Sequence, residues 1–129
     1  MALRGRVLLV DDDLHVAQAI RRVLEREHDV VVVHSGMEAI ATLESEQAPD
    51  FDVILCDMHM PGLSGPDVFR HLSQHHPGLV PSLVFLSGST LSPEEQDFFR
   101  SSGRPAVAKP FDVGDFRHFV REFVTARRV

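Results

Sequence analysis

Cysteine is nearly missing from the 129 residues. With Cys56 alone, no internal disulfide can form, which fits a reducing compartment. Long hydrophobic runs are also lacking: the longest span five or six residues, far short of the ~20 that a bilayer-crossing helix needs. The opening Met1-Ala2-Leu3-Arg4-Gly5-Arg6 holds no apolar stretch fit for a secretory leader. The expectation is therefore a cytoplasmic chain with no membrane association. An excess of basic residues is absent as well. Lys and Arg number 13 against 19 Asp and Glu, a formal net charge of −6, which argues against direct nucleic-acid binding through a basic face. Internal repeats, low-complexity tracts and linker-like stretches are absent too. One domain over residues 1–129 is expected, with a core of about 6–124. The final Arg127-Arg128-Val129 reads as a fraying end or the cut edge of a longer chain.

What is present is an alternation. Hydrophobic residues make up 43% and charged residues 25%, ordinary for a globular chain. Val7–Val10, Val30–Val33, Val53–Cys56 and Leu83–Leu86 are short, continuously apolar runs, the pattern of strands covered on both faces. Ala106-Val107-Ala108 is a weaker fifth. Between them lie amphipathic segments: Val16, Ile20, Val23 and Leu24 recur at helical spacing, as do Phe116, Phe119, Val120, Phe123 and Val124 at the C-terminus. Ser35-Gly36-Met37-Glu38 and Ser92-Pro93-Glu94-Glu95 have the form of capping boxes, and Asp112 is placed to cap the last helix. Pro61-Gly62 and Ser64-Gly65-Pro66 form a loop leading into a helix that carries Val68 and Leu72. Strand and helix thus alternate five times, which predicts an α/β, doubly wound, five-stranded parallel sheet with five helices. In the order 2-1-3-4-5, ligands sit at the carboxyl ends of the strands, where the winding reverses between strands 1 and 3.

Chemistry-bearing residues follow the strands. Asp11-Asp12-Asp13 follow the first, Asp57 the third, Ser87-Gly88 the fourth and Lys109-Pro110 the fifth, so all should share one edge of the sheet. Carboxylates gathered there repel one another and resist full ionisation. A hard divalent ion relieves this, and Mg²⁺ suits two or three carboxylates plus a backbone carbonyl, keeping waters or a phosphate oxygen. A carboxylate can also attack phosphorus and form an aspartyl phosphate. Lys109 then offers a compact positive charge, Ser87 a hydroxyl donor, and Gly88 room for the phosphoryl group.

From about Arg6 to Val124 the chain resembles the receiver domain of two-component response regulators, which has the flavodoxin-like fold. The matching motifs are Val10-Asp11-Asp12-Asp13, Asp57-Met58-His59-Met60-Pro61-Gly62, Leu86-Ser87-Gly88 and Lys109-Pro110-Phe111. The resemblance implies that Asp57 is the phosphoacceptor. Asp12 would be the direct acidic ligand of Mg²⁺, Asp11 an acid acting mostly through water, and the His59 backbone carbonyl a third protein ligand. Ser87 would turn toward the phosphoryl group, Lys109 would pair with it, and the Lys109-Pro110 bond would be cis. A histidine kinase or a histidine phosphotransfer protein would donate the phosphoryl group. The domain would perform only its own phosphorylation and slow dephosphorylation, and so is not a conventional enzyme. A surface of helix 4, strand 5 and helix 5 would carry the switch and serve as a homodimer face.

The chain departs from the family at Ala106, three residues before Lys109, where a switch aromatic is common. Val84–Thr90 and Gly103–Phe111 are similar to the receivers that close hybrid histidine kinases, which often lack that ring. A receiver that passes phosphate onward, or a stand-alone phosphate sink, would need less of a switch. His59, two residues after the acceptor, is expected to tune the phosphoryl lifetime. Taken singly, these residues mean little. Asp13 alone reads as a helix-start acid, and Cys56 as a small buried strand residue. His75-His76 should point apart on a surface helix, while His15, His28, His34, His71 and His118 look scattered, so zinc is not expected. Three other readings compete with this one. A haloacid-dehalogenase-type Mg²⁺ phosphatase would carry a second acid where His59 stands. A flavin-binding domain would need a phosphate-cradling loop in place of Asp11-Asp12-Asp13. A degenerate docking module would not need the intact acids and lysine.

Overall fold

The computed structural model describes residues 3–128, so Met1, Ala2 and Val129, on which the leader and chain-end readings partly rest, lie outside it. The elements alternate as β1 (Arg6–Val10), α1 (Leu14–Leu24), β2 (Asp29–Val33), α2 (Gly36–Glu44), β3 (Val53–Asp57), α3 (Gly65–His75), β4 (Leu83–Gly88), α4 (Pro93–Ser102), β5 (Ala106–Lys109) and α5 (Val113–Arg128). A 3-10 segment, Pro77–Ser82, joins α3 to β4. All strand pairs are parallel, in the order β2-β1-β3-β4-β5. This is the doubly wound sheet expected from the alternation.

Successive side chains of a strand face opposite sides of the sheet, and here both sides are covered. Leu8, Val10, Ile54, Cys56, Leu83 and Phe85 pack with Ala39 of α2, Val68 and Leu72 of α3, and Phe98 and Phe99 of α4. Val7, Leu9, Val53, Leu55, Val84 and Leu86 pack with Ala17, Ile20 and Leu24 of α1 and Phe116, Val120 and Val124 of α5. The three central strands are fully buried from Val7 to Val10, Val53 to Cys56 and Leu83 to Leu86. The second strand departs from expectation. Its valines are continuous in sequence, yet Val31 is 40% exposed, because β2 pairs only with β1 and lies at the sheet's edge.

Local chemistry starts the helices. Asp13 caps α1 by accepting from the amides of His15 and Val16, as read for that residue alone. Ser92 and Glu95 form a reciprocal capping box on α4. Ser35 caps α2 through the Glu38 amide, without the returning half of the box. Asp112 accepts from the Asp115 amide at the start of α5. Arg127 and Arg128 both have partners. Arg128 makes a two-pronged pair with Asp52 at 2.7 and 2.9 Å, and Arg127 donates to the Ser82 hydroxyl.

Candidate phosphoacceptor site

Parallel strands place their carboxyl ends together, and the register aligns them closely. Asp57 pairs with Leu86, Ser87 with Ala108, and Gly88 with Lys109. Asp57, Gly88 and Lys109 are the last residues of their strands rather than the first residues beyond them. Asp11 and Asp12 follow β1 directly. All four motifs therefore share one edge, at the switch point between β1 and β3.

There the side chains converge. Asp11, Asp12 and Asp57 each bring a carboxylate oxygen within 4.8 Å of the other two. Asp11 is wholly buried, Asp57 partly buried, and Asp12 exposed. The Lys109 ammonium lies 3.1 Å from Asp11 Oδ2 and 3.4 Å from Asp57 Oδ2. Asp11 Oδ1 accepts from the Asp13 amide at 3.0 Å, and the Asp11 carbonyl lies 3.0 Å from His34 Nδ1. The His59 amide donates weakly to Asp57 Oδ1 at 3.4 Å. Ser87 is buried at the same edge, and Lys109-Pro110 is cis.

The electrostatics follow from this crowding. Burial pushes the Asp57 carboxyl above its usual range, and the Asp11 charge adds to that while Lys109 opposes it. Burial would lower the Lys109 ammonium, but the charges of Asp57 and Asp11 outweigh it and hold it above its usual value. Burial, with two acids nearby, raises the Cys56 thiol far above the usual thiol range, which removes its thiolate chemistry. An all-oxygen donor set with one buried and one exposed acid fits a hard cation such as Mg²⁺, which retains waters.

Two features add to the sequence reading. The His59 side chain is 75% exposed, and its Nε2 lies 3.0 Å from Glu95 Oε2, so it reaches toward the start of α4. Glu95, which sequence reasoning assigned only to a helix cap, thereby links the acceptor loop to α4. The histidines are also less scattered than expected: His71 and His76 converge on Glu44. Sequence spacing hid this because α3 ends at His75, so His76 leaves helical geometry and turns its ring back toward His71.

Comparison with known proteins agrees with this fold. A family model described as the response regulator receiver domain matches residues 7–121. The hydrogenase transcriptional regulatory protein HoxA of Cupriavidus necator is 38% identical over 87 residues, covering 67% of this chain and 17% of its own. The aerobic respiration control sensor protein ArcB of Escherichia coli is 31% identical over 119 residues, covering 91% of this chain and 15% of its own. The chain thus spans under a fifth of either relative. A CheY-like response regulator receiver domain protein from Methanospirillum hungatei shares the fold, with a TM-score of 0.82 at 24% identity over 97% of both chains. Among the described residues no helix is long and apolar enough to cross a membrane.

Proposed function

Because the chain belongs to the response regulator receiver domain family of two-component signalling, we propose that it accepts a phosphoryl group from a phosphohistidine partner onto Asp57 and later releases it by hydrolysis. The observation that carries this reading is the meeting of Asp11, Asp12 and Asp57 with Lys109 at one sheet edge.

In the forward step a carboxylate oxygen of Asp57 bonds to phosphorus while the phosphorus–nitrogen bond of the donor breaks. The electron pair leaves with the donor imidazole, which takes up a proton. In the release step a water oxygen bonds to phosphorus while the acyl phosphate P–O bond breaks. The electron pair returns to the Asp57 carboxylate, and inorganic phosphate leaves, with the water's protons kept by phosphate or passed to solvent. Asp11, Asp12, Asp57 and the His59 carbonyl would hold Mg²⁺, whose charge offsets that of the phosphoryl oxygens. Lys109 already faces Asp57 and has only a short distance to travel to pair with the phosphoryl group. Ser87 supplies a hydroxyl donor from the adjoining strand end. An apolar groove of Val16, Ala19, Ile20, Val23 and Phe111, with Lys109 at its edge, offers a partner helix a seat beside the acceptor.

Intact mass measured after incubation with acetyl phosphate and Mg²⁺ tests this reading. The chain should gain one phosphoryl group, and Asp57→Asn should gain none. Equal gain by that variant, or sustained turnover of a generic phosphomonoester, would overturn the reading, the second outcome in favour of a phosphatase. With one relative named a sensor protein and the other a transcriptional regulatory protein, the domain is suited to serve as one module of a longer signalling chain, the hybrid histidine kinase among them.

A further inference from the structure

A second convergence of ligand-type side chains lies away from the acidic pocket. Glu44 is the last residue of α2, His71 sits one turn before the end of α3, and His76 is the residue on which α3 terminates. In a doubly wound fold both helices run back from the carboxyl edge of the sheet. Their ends therefore lie at the opposite edge from Asp57. His71 Nε2 is 3.0 Å and His76 Nε2 2.8 Å from the same atom, Glu44 Oε2. The three ligand atoms fall within 4.8 Å of one another.

That spacing is close to what a tetrahedral ion needs. Zinc bonds of about 2.0–2.1 Å put neighbouring ligands roughly 3.3–3.4 Å apart, so each histidine has to move from the carboxylate oxygen by only a few tenths of an ångström, while the two imidazole nitrogens already lie within 4.8 Å of each other. Two imidazoles and one carboxylate also form a donor set for Zn²⁺ rather than for Mg²⁺ or Ca²⁺, which take oxygen. The side chains of His71, His76 and Glu44 are 31%, 37% and 40% exposed, so an ion can enter and a water can complete the fourth position. The His75 ring stands 4.6 Å from the His71 ring, tilted by 41°, and braces it. His76 is held by its own backbone, whose amide donates to the Leu72 carbonyl at 2.7 Å.

We propose that Glu44, His71 and His76 form a Zn²⁺ site that ties the end of α2 to the end of α3. It differs from the acceptor pocket in ligand chemistry and in position. Its ligands come from two helices that cover the same face of the sheet, so binding stabilises the folded domain without using any acceptor residue.

The test is calorimetric titration of the EDTA-stripped chain with ZnCl₂, in excess Mg²⁺ so that the acidic pocket does not compete. One Zn²⁺ should bind with micromolar affinity and raise the melting temperature. His71→Ala and His76→Ala should each weaken binding by about 100-fold, since even changes behind a ligand cost 10- to 100-fold. Glu44→Gln should weaken it by about tenfold or more. Co²⁺ in place of Zn²⁺ should give the visible absorption of a tetrahedral site in the parent chain and lose it in the histidine variants. All three variants should still take up phosphate from acetyl phosphate, which separates loss of this site from misfolding and from any failure of the receiver reading. No Zn²⁺ uptake in the Mg²⁺ background, or undiminished uptake by the His71→Ala/His76→Ala double variant, would overturn the proposal.

Discussion

Lys109 is the one lysine among the 13 basic residues, the rest being arginine. A compact ammonium can approach carboxylates that arrive from two different strands, whereas a planar guanidinium prefers a single coplanar partner. Asp11 and Asp57 approach it in this way. Asp12 adds a third carboxylate to the same few ångströms, so negative groups outnumber the positive one and the pocket is held at a cost. Function and stability should therefore separate at Asp57. In EDTA, Asp57→Asn should melt higher than the parent chain, by roughly 3–5 °C for a gain on the order of 1 kcal/mol, while remaining inert to the phosphodonor. A lower melting temperature would mean that Asp57 serves as an anchor for Lys109 rather than as a strained acceptor. The acids and the lysine were legible in sequence because each ends or closely follows a recognisable strand. Being the sole lysine was a further signal, open to anyone counting. The reach of His59 to Glu95 was not legible, since 36 residues separate them and neither position is unusual by itself.

At the scale of elements, the turn from β3 into α3 brings Asp57 to the surface, and Gly65 governs how close helix and strand can come. A Cβ built there would lie 2.7 Å from the Asp57 carbonyl oxygen and 3.0 Å from Met58 Cα. Both are backbone atoms that cannot rotate away. Helix propensity alone would favour Gly65→Ala by about 1 kcal/mol. The clash should reverse the sign and leave a net loss of roughly 1–3 kcal/mol, seen as a lower urea midpoint at unchanged slope. Slower phosphorylation should accompany it as Asp57 is displaced. The strands were readable because valine and leucine runs announce buried strands, though the same signal overstated β2, whose outer side has no neighbouring strand. Ser92-Pro93-Glu94-Glu95 was readable as a box. The equivalent box of Ser64 and Asp67 is harder to read because aspartate replaces the longer acid of the usual pattern. The 3-10 segment is not legible for a different reason: Pro77 and Pro81 both lie within it and no side chain caps it.

Across the whole molecule, the edge opposite the acceptor is where the last helix is tied down. Glu27, just after α1, pairs with Arg117 at 2.9 Å and Arg121 at 2.8 Å. Asp52, just before β3, pairs with Arg128. His28 is buried, and its Nδ1 accepts from the Gly5 amide at 3.0 Å, so the ring is neutral. These partners lie far apart in sequence, 94 residues for Glu27 and Arg121, and no local pattern foretells them. All three groups make the fold sensitive to acid. Burial lowers the His28 pKa below its ordinary 6.5. Its contribution is therefore complete above about pH 6.5 and erodes as the pH falls, because the unfolded chain takes up the proton first. Burial would raise the Glu27 and Asp52 carboxyls, but their arginine partners outweigh it and hold them below 4.5 and 3.8. Their contributions are present above those values and are lost as the pH falls through the depressed folded pKa values. Hydrogen exchange measured at successively lower pH should show the α5 amides near Val120 and Val124 losing protection below about pH 4.5, before those of β1 and β3. In Glu27→Gln/Asp52→Asn that pH dependence should flatten, with α5 less protected already at neutral pH. Simultaneous loss across helix and sheet would instead show that α5 cannot open separately. Its inner residues Phe116, Val120 and Val124, packed on the central strands, would then outweigh the ionic ties at its rim.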